Sequence, residues 1–135
     1  LPSGGRYGYD AVVHEILLVE DNPDALETLR VLLELEGHRV ATAATGERAI
    51  AMALETPFSV ALIDIGLPDV DGYQVAQQIR SAPAGERVVL VALTGYGRPE
   101  DVRRAHASGF DAHLTKPVDP DALTKTLAEL PRRAK

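Results

Sequence analysis

Four apolar stretches of this chain each run into a polar side chain suited to phosphate or metal chemistry. Ile16-Leu17-Leu18-Val19 leads to Glu20-Asp21, Val60-Ala61-Leu62-Ile63 to Asp64, Val88 through Leu93 to Thr94, and Ala112-His113-Leu114-Thr115 to Lys116. Carboxylates crowded together repel, so such a group either raises one pKa or recruits a cation. Hard oxygen donors favour magnesium over zinc. A carboxylate can also attack phosphorus and form an acyl phosphate, provided that metal and fixed cations neutralise the oxygens of the transferring group. In that chemistry Asp64 attacks, Glu20 and Asp21 hold magnesium, Lys116 pairs with one phosphoryl oxygen and Thr94 offers its hydroxyl to another. Each residue alone has a plainer use, since a carboxylate at a strand end commonly caps the next helix. The conjunction carries the chemical reading.

These side chains meet only if the four runs are parallel strands sharing one carboxyl edge, where open α/β sheets bind ligands and helix N-termini point. Apolar strand and amphipathic helix alternate five times, which implies right-handed parallel βαβ units. Strands are expected near 14–20, 38–43, 58–64, 87–94 and 110–115. The first helix starts with Asn22 as N-cap and Pro23 at its first position, carries Leu26, Leu29, Leu32 and Leu33 at helical spacing, and stops at Gly37. The second starts at Thr45, buries Ala49, Ile50, Ala53 and Leu54, and is closed by Pro57. The third opens on Asp71 with Gln74 three residues on, a capping-box spacing, and presents Val75, Ala76 and Ile79 before Pro83. The fourth has Pro99 in its first turn, Val102, Ala105 and His106 inward, and Gly109 beyond its end. The fifth begins at Asp119-Pro120 and aligns Leu123, Leu127 and Leu130. Strand two, Arg39-Val40-Ala41-Thr42, is the least apolar, as an edge strand tends to be.

At 135 residues the chain suits one domain with one core. Hydrophobic residues make up 45% and charged residues 25%, ordinary values for a globular protein that argue against disorder. Fourteen Lys and Arg against twenty Asp and Glu give a net charge of −6 with no basic stripe, which argues against nucleic-acid binding. No apolar run is long enough to span a bilayer, so no membrane insertion is expected. The absence of cysteine removes disulfides and thiolate chemistry and fits a reducing cytoplasm. Residues 1–12 read as a linker or remnant, 13–131 as the domain, and 132–135 as a basic tail. A start at Leu1 rather than Met suggests a domain cut from a longer protein.

Leu17-Leu18-Val19-Glu20-Asp21-Asn22, Asp64-Ile65-Gly66-Leu67-Pro68-Asp69-Val70-Asp71-Gly72, Leu93-Thr94-Gly95 and Leu114-Thr115-Lys116-Pro117 resemble the motifs of bacterial response-regulator receiver domains. Their order and spacing cover residues 14–130, and four together are specific where one is weak. The resemblance implies a flavodoxin-like, doubly wound (βα)5 fold of the α/β class with a five-stranded parallel sheet. It implies Asp64 as phosphoacceptor, Asp21 and Asp64 as direct magnesium ligands, Glu20 acting through water, a backbone carbonyl of Gly66 on the metal, and a cis bond between Lys116 and Pro117. It also implies a histidine kinase or histidine phosphotransfer domain as donor, and a downstream protein on the face of helix four, strand five and helix five.

In that family an aromatic residue on strand five turns inward when the threonine moves toward the phosphoryl group. His113 occupies that position here and either modifies the switch or is simply a half-exposed strand residue. Gly66 and Tyr96, two beyond the aspartate and two beyond the threonine, flank the path of attacking water. A glycine positions no water and a tyrosine could shield the site, so slow self-hydrolysis is expected. The wording around Lys116 inclines toward the receiver of a hybrid histidine kinase over a stand-alone regulator. Two other readings compete. A magnesium phosphatase of the haloacid-dehalogenase type shares the nucleophile and metal, but it needs an acid two residues on, where Gly66 stands. A pseudo-receiver working without phosphorylation has no need of all five polar residues. Nucleotide binding is poorly served by the acidic loop Glu20-Asp21-Asn22-Pro23, which lacks phosphate-cradling glycines.

Overall fold

The computed structural model describes residues 13–130, so the expected linker at 1–12 and basic tail at 132–135 lie outside the described residues. Strands β1 (Glu15–Val19), β2 (Arg39–Ala43), β3 (Val60–Asp64), β4 (Val89–Thr94) and β5 (Ala112–Thr115) alternate with helices α1 (Pro23–Leu35), α2 (Gly46–Glu55), α3 (Gly72–Ser81), α4 (Pro99–Ser108) and α5 (Pro120–Ala128). All strands are parallel, in the order β2-β1-β3-β4-β5. This is the doubly wound, flavodoxin-like α/β order expected from the sequence.

The apolar strand runs are explained by burial on both faces. Leu17, Val19, Ala61, Ile63, Leu90 and Ala92 point to one side, where they pack with Ala49, Ala53, Val75, Ala76, Ile79 and Ala105 of α2, α3 and α4. Ile16, Leu18, Leu62, Val91, Leu93 and Leu114 point to the other, against Leu29 and Leu33 of α1 and Leu123 and Leu127 of α5. β2 is an edge strand and is only partly covered, as its polar composition requires.

Helix starts follow the residues that satisfy their free N–H groups. The side chain of Asn22 accepts from Asp24 and Ala25, Thr45 from Arg48, Asp71 from Gln74, and Asp119 from Ala122. Gly109 closes α4 in the left-handed conformation at φ 109°. Three details depart from expectation. His106 is exposed, and Ser108 takes the buried place at the end of α4, its hydroxyl returning to the carbonyl of Arg104. Ile50, Leu54 and Val102 are half-buried rather than fully inward. A 3-10 turn at Pro83–Gly85, not expected from periodicity, links α3 to β4.

At the amino edge of the sheet the backbone N–H of His14 donates to His38 Nδ1 at 3.0 Å, and the two rings lie 5.3 Å apart. Burial first, and His14 second, hold His38 below its ordinary value of 6.5. The folded state therefore disfavours protonation. The contribution is complete above the unfolded value and is lost as pH falls through the folded one. The thermal midpoint is expected to fall between about pH 8 and about pH 5, with a shallower decline in His38→Gln. Parallel declines for the two proteins would show that His38 contributes nothing to the slope.

Candidate functional site

Strand register decides which side chains meet. Val19 is level with Ile63, Asp64 with Leu93, and Thr94 with Thr115. One residue further along β1 and β5 come Glu20 and Lys116, so the carboxyl ends deliver Glu20, Asp64, Thr94 and Lys116 to one edge. The Lys116 N–H donates to the carbonyl of Thr94 at 2.7 Å, and the bond to Pro117 is cis, as the resemblance implies.

Lys116 Nζ lies 2.7 Å from Glu20 Oε1 and 3.2 Å from Asp64 Oδ2. Burial opposes the charge of Lys116, but Glu20 and Asp64 outweigh it and hold the ammonium above its ordinary pKa. Glu20 is 1% exposed and Asp64 7%. Carboxylate oxygens of Glu20, Asp21 and Asp64 all fall within 4.8 Å of one another, with Asp21 on the solvent side. Local backbone fixes two of these carboxylates. Glu20 Oε2 accepts from the Asn22 N–H at 3.1 Å, and Asp64 Oδ1 accepts from the Gly66 N–H at 3.1 Å. Glu20 Oε1 is taken up by the Lys116 ammonium at 2.7 Å.

Three carboxylates against one ammonium leave the edge electronegative, and an all-oxygen set of this spacing fits a hard divalent cation such as magnesium. Thr94 is 3% exposed and its Oγ1 has no hydrogen-bond partner. Buried hydroxyls usually have a hydrogen-bond partner.

Gly66 is exposed beside Asp64, and a Cβ placed there would meet Asp64 Oδ1 at an ordinary 3.8 Å, so neither space nor backbone demands glycine. Tyr96 is 76% exposed and the Arg98 guanidinium lies over its ring at 4.6 Å. The expected shielding of Asp64 by Tyr96 is not seen: the ring is exposed and carries the Arg98 guanidinium on its face. His113 is exposed on β5, beside Ala92 in register.

Gly72 matters more than its place in a motif suggests. A Cβ there would sit 2.6 Å from the backbone oxygen of Asp64 and 2.7 Å from Ile65 Cα, so only glycine lets the start of α3 press against the end of β3. Beside Glu20 and Lys116, a groove of about 510 Å³ is lined by Ala25, Thr28, Leu29 and Leu32 of α1 and by Pro117 and Val118.

Residues 16–128 match the family model described as response regulator receiver domain. An uncharacterized 14.6 kDa protein of Leptolyngbya boryana is 36% identical over 115 residues, covering 85% of this chain and 88% of that protein. The virulence sensor protein BvgS of Bordetella bronchiseptica is 36% identical over 124 residues, covering 88% of this chain but 10% of BvgS. The receiver domain of the sensor histidine kinase PA1611 of Pseudomonas aeruginosa, solved with a magnesium ion in its active-site cleft, superposes with a TM-score of 0.79 at 34% identity, covering 86% of this chain and 95% of that one. The receiver domain of Ssk1 from Saccharomyces cerevisiae, solved in complex with the histidine phosphotransfer protein Ypd1, gives 0.80 at 30% identity and 89% and 91% coverage. No helix among the described residues is long and apolar enough to cross a membrane.

Proposed function

The chain belongs to the response-regulator receiver domain family, and from that premise we propose that it takes a phosphoryl group from a phosphohistidine onto Asp64 and passes the change to a partner-binding face. Receiver domains are signalling modules of two-component systems rather than enzymes with turnover on a metabolite. One observation carries the reading. Asp64 stands at the strand edge among two other carboxylates, with Lys116 Nζ 3.2 Å from Oδ2 and an unpartnered Thr94 hydroxyl on the neighbouring strand.

In the step itself an Asp64 carboxylate oxygen attacks phosphorus, an O–P bond forms, the P–N bond of the donor breaks, and its electron pair leaves with the imidazole. Glu20, Asp21, Asp64 and the Gly66 backbone carbonyl would hold magnesium, which would supply neutralising charge for the transferring oxygens. Lys116 is already charged and aimed by Glu20, so it can pair with a phosphoryl oxygen with little reorganisation. Thr94 donates to another. With no acid side chain at Gly66, nothing two residues beyond Asp64 serves to protonate a leaving group.

The groove lined in part by Glu20 and Lys116 offers a donor protein apolar surface beside those two residues, suited to a histidine kinase or histidine phosphotransfer domain. The output side is the face of α4, β5 and α5, with His113 exposed at the strand position where the family carries its aromatic. A cysteine-free chain of this kind suits the cytoplasm, and the far longer BvgS relative supports a place within a hybrid histidine kinase. Incubation with acetyl phosphate and magnesium, read by intact mass, is expected to add one phosphoryl group per chain. A protein that stays unmodified across a full titration would overturn the reading.

A further inference from the structure

The N-terminus of α2 is capped from a distance. Asp69 lies in the loop after β3, 23 residues further along the chain than Gly46, yet its Oδ1 accepts from the Gly46 N–H at 2.8 Å and its Oδ2 from the Glu47 N–H at 3.0 Å. Thr45, the local N-cap, accepts from Arg48 at 3.2 Å. Between them the two side chains satisfy three of the four free N–H groups of the first turn. The N–H groups of Gly46 and then Glu47 pull the Asp69 pKa from 3.8 down to about 2, so the carboxylate is charged at any physiological pH.

The same contact fits the loop to α2 closely. A Cβ on Gly46 would strike the Val70 carbonyl oxygen at 2.8 Å and Val75 Cγ2 at 2.9 Å, so glycine at the first helical position lets the loop lie directly on the helix end. Leu67 is 7% exposed and belongs to the core cluster on this side of the sheet. At the loop's far end Gly72 N–H donates to the Ile65 carbonyl at 2.9 Å. Gly66 is therefore a short exposed link between Asp64 at the strand end and Leu67 anchored in the core, with Asp69 tying down the part that follows.

We propose that Asp69 is a positioning residue for the metal-binding loop: by gripping the α2 N-terminus it holds the segment carrying Gly66 in register with Asp64. This rests on the assignment of Gly66 and the three carboxylates to magnesium. Thr45 is the internal control, because its capping bond goes to Arg48 within the same helix rather than tying the helix to the loop. A stability loss through α2 follows from either substitution, whereas loosening of the loop follows from one only.

Magnesium titrations by calorimetry should compare the native protein with Asp69→Ala, Asp69→Asn, Thr45→Ala and Asp64→Asn. Asp69→Ala is expected to weaken magnesium binding by roughly tenfold, in line with groups that orient metal ligands without touching the metal. Asp69→Asn, which keeps one acceptor, falls between it and native, and Thr45→Ala binds as native does while unfolding at a lower temperature. Native affinity in Asp69→Ala, or equal weakening in Thr45→Ala, overturns the positioning role while leaving the metal assignment intact. A native protein that binds no magnesium, or an Asp64→Asn variant that binds as native does, overturns the metal assignment and the positioning role with it.

Discussion

Asp64→Asn is expected to carry no phosphoryl group after incubation with acetyl phosphate and magnesium, under conditions where the native protein gains one. The change removes the negative charge and turns the oxygen beside Lys116 into an N–H donor while keeping the shape. Asparagine has nearly the same shape, and its carbonyl can still accept from the Gly66 N–H that now binds Asp64 Oδ1. Fold and edge therefore survive, and the loss isolates the nucleophile. A neutral amide oxygen does not displace imidazole or acetate from phosphorus at a useful rate, so the expected fall exceeds about a thousandfold. The variant should also unfold no more easily than native. Asp64 is one of three carboxylates within 4.8 Å, facing one ammonium, and removing one relieves repulsion while Lys116 keeps Glu20 at 2.7 Å. Intact mass and a thermal scan on the same samples give both readouts. A phosphoryl adduct on Asp64→Asn would place the acceptor elsewhere; an adduct lost only because the variant melts would leave the chemistry unassigned to Asp64.

The residues of that experiment were legible in the chain because their positions follow from local rules. Glu20, Asp64, Thr94 and Lys116 each end an apolar run, and parallel register brings such ends together without any long-range information beyond strand order. Asn22, Thr45, Asp71 and Asp119 announced helix starts for the same local reason. What escaped depends on contacts between distant segments. Asp69 reads as one more acidic turn residue, and its partners lie 23 and 22 positions back. Tyr96 reads as a shield until Arg98 is seen across its ring. In α4 only Val102 and a few small residues mark an inner face, too little apolar surface to decide between His106 and Ser108. Arg80, in the last turn of α3, looks like a solvated helix-end cation complementing the dipole. The structure places it elsewhere, at the opposite edge of the sheet from Asp64.

Arg80→Met is expected to lower stability severely although it lies outside the apolar core. The guanidinium donates from Nε to the Gly109 carbonyl at 3.0 Å, from Nη1 to the carbonyls of Gly85 and Val88 at 2.9 and 2.6 Å, and from Nη2 to Asp111 Oδ2 at 2.7 Å. Asp111 Oδ2 also accepts from the Leu90 N–H at 2.9 Å. One planar fork thus joins the 3-10 turn, the start of β4, the end of α4 and the approach to β5. With side chains only 14% and 12% exposed, neither ion is fully hydrated. Methionine fills much of the volume but leaves three carbonyls without their donor and the Asp111 carboxylate without that guanidinium, a loss of about 3–5 kcal/mol by comparison with other broken buried pairs. That is a large part of the ~5–15 kcal/mol typical of a small domain, so the urea midpoint should fall steeply with little change in slope. Arg80→Lys should recover only part of it, since an ammonium lacks the geometry to serve four acceptors at once. Adding Asp111→Asn to Arg80→Met should return some stability, because the amide oxygen still meets Leu90 and no carboxylate faces the missing guanidinium. A loss below about 1 kcal/mol in Arg80→Met, the range of an exposed ion pair, would show that solvent rather than this network satisfies the four acceptors.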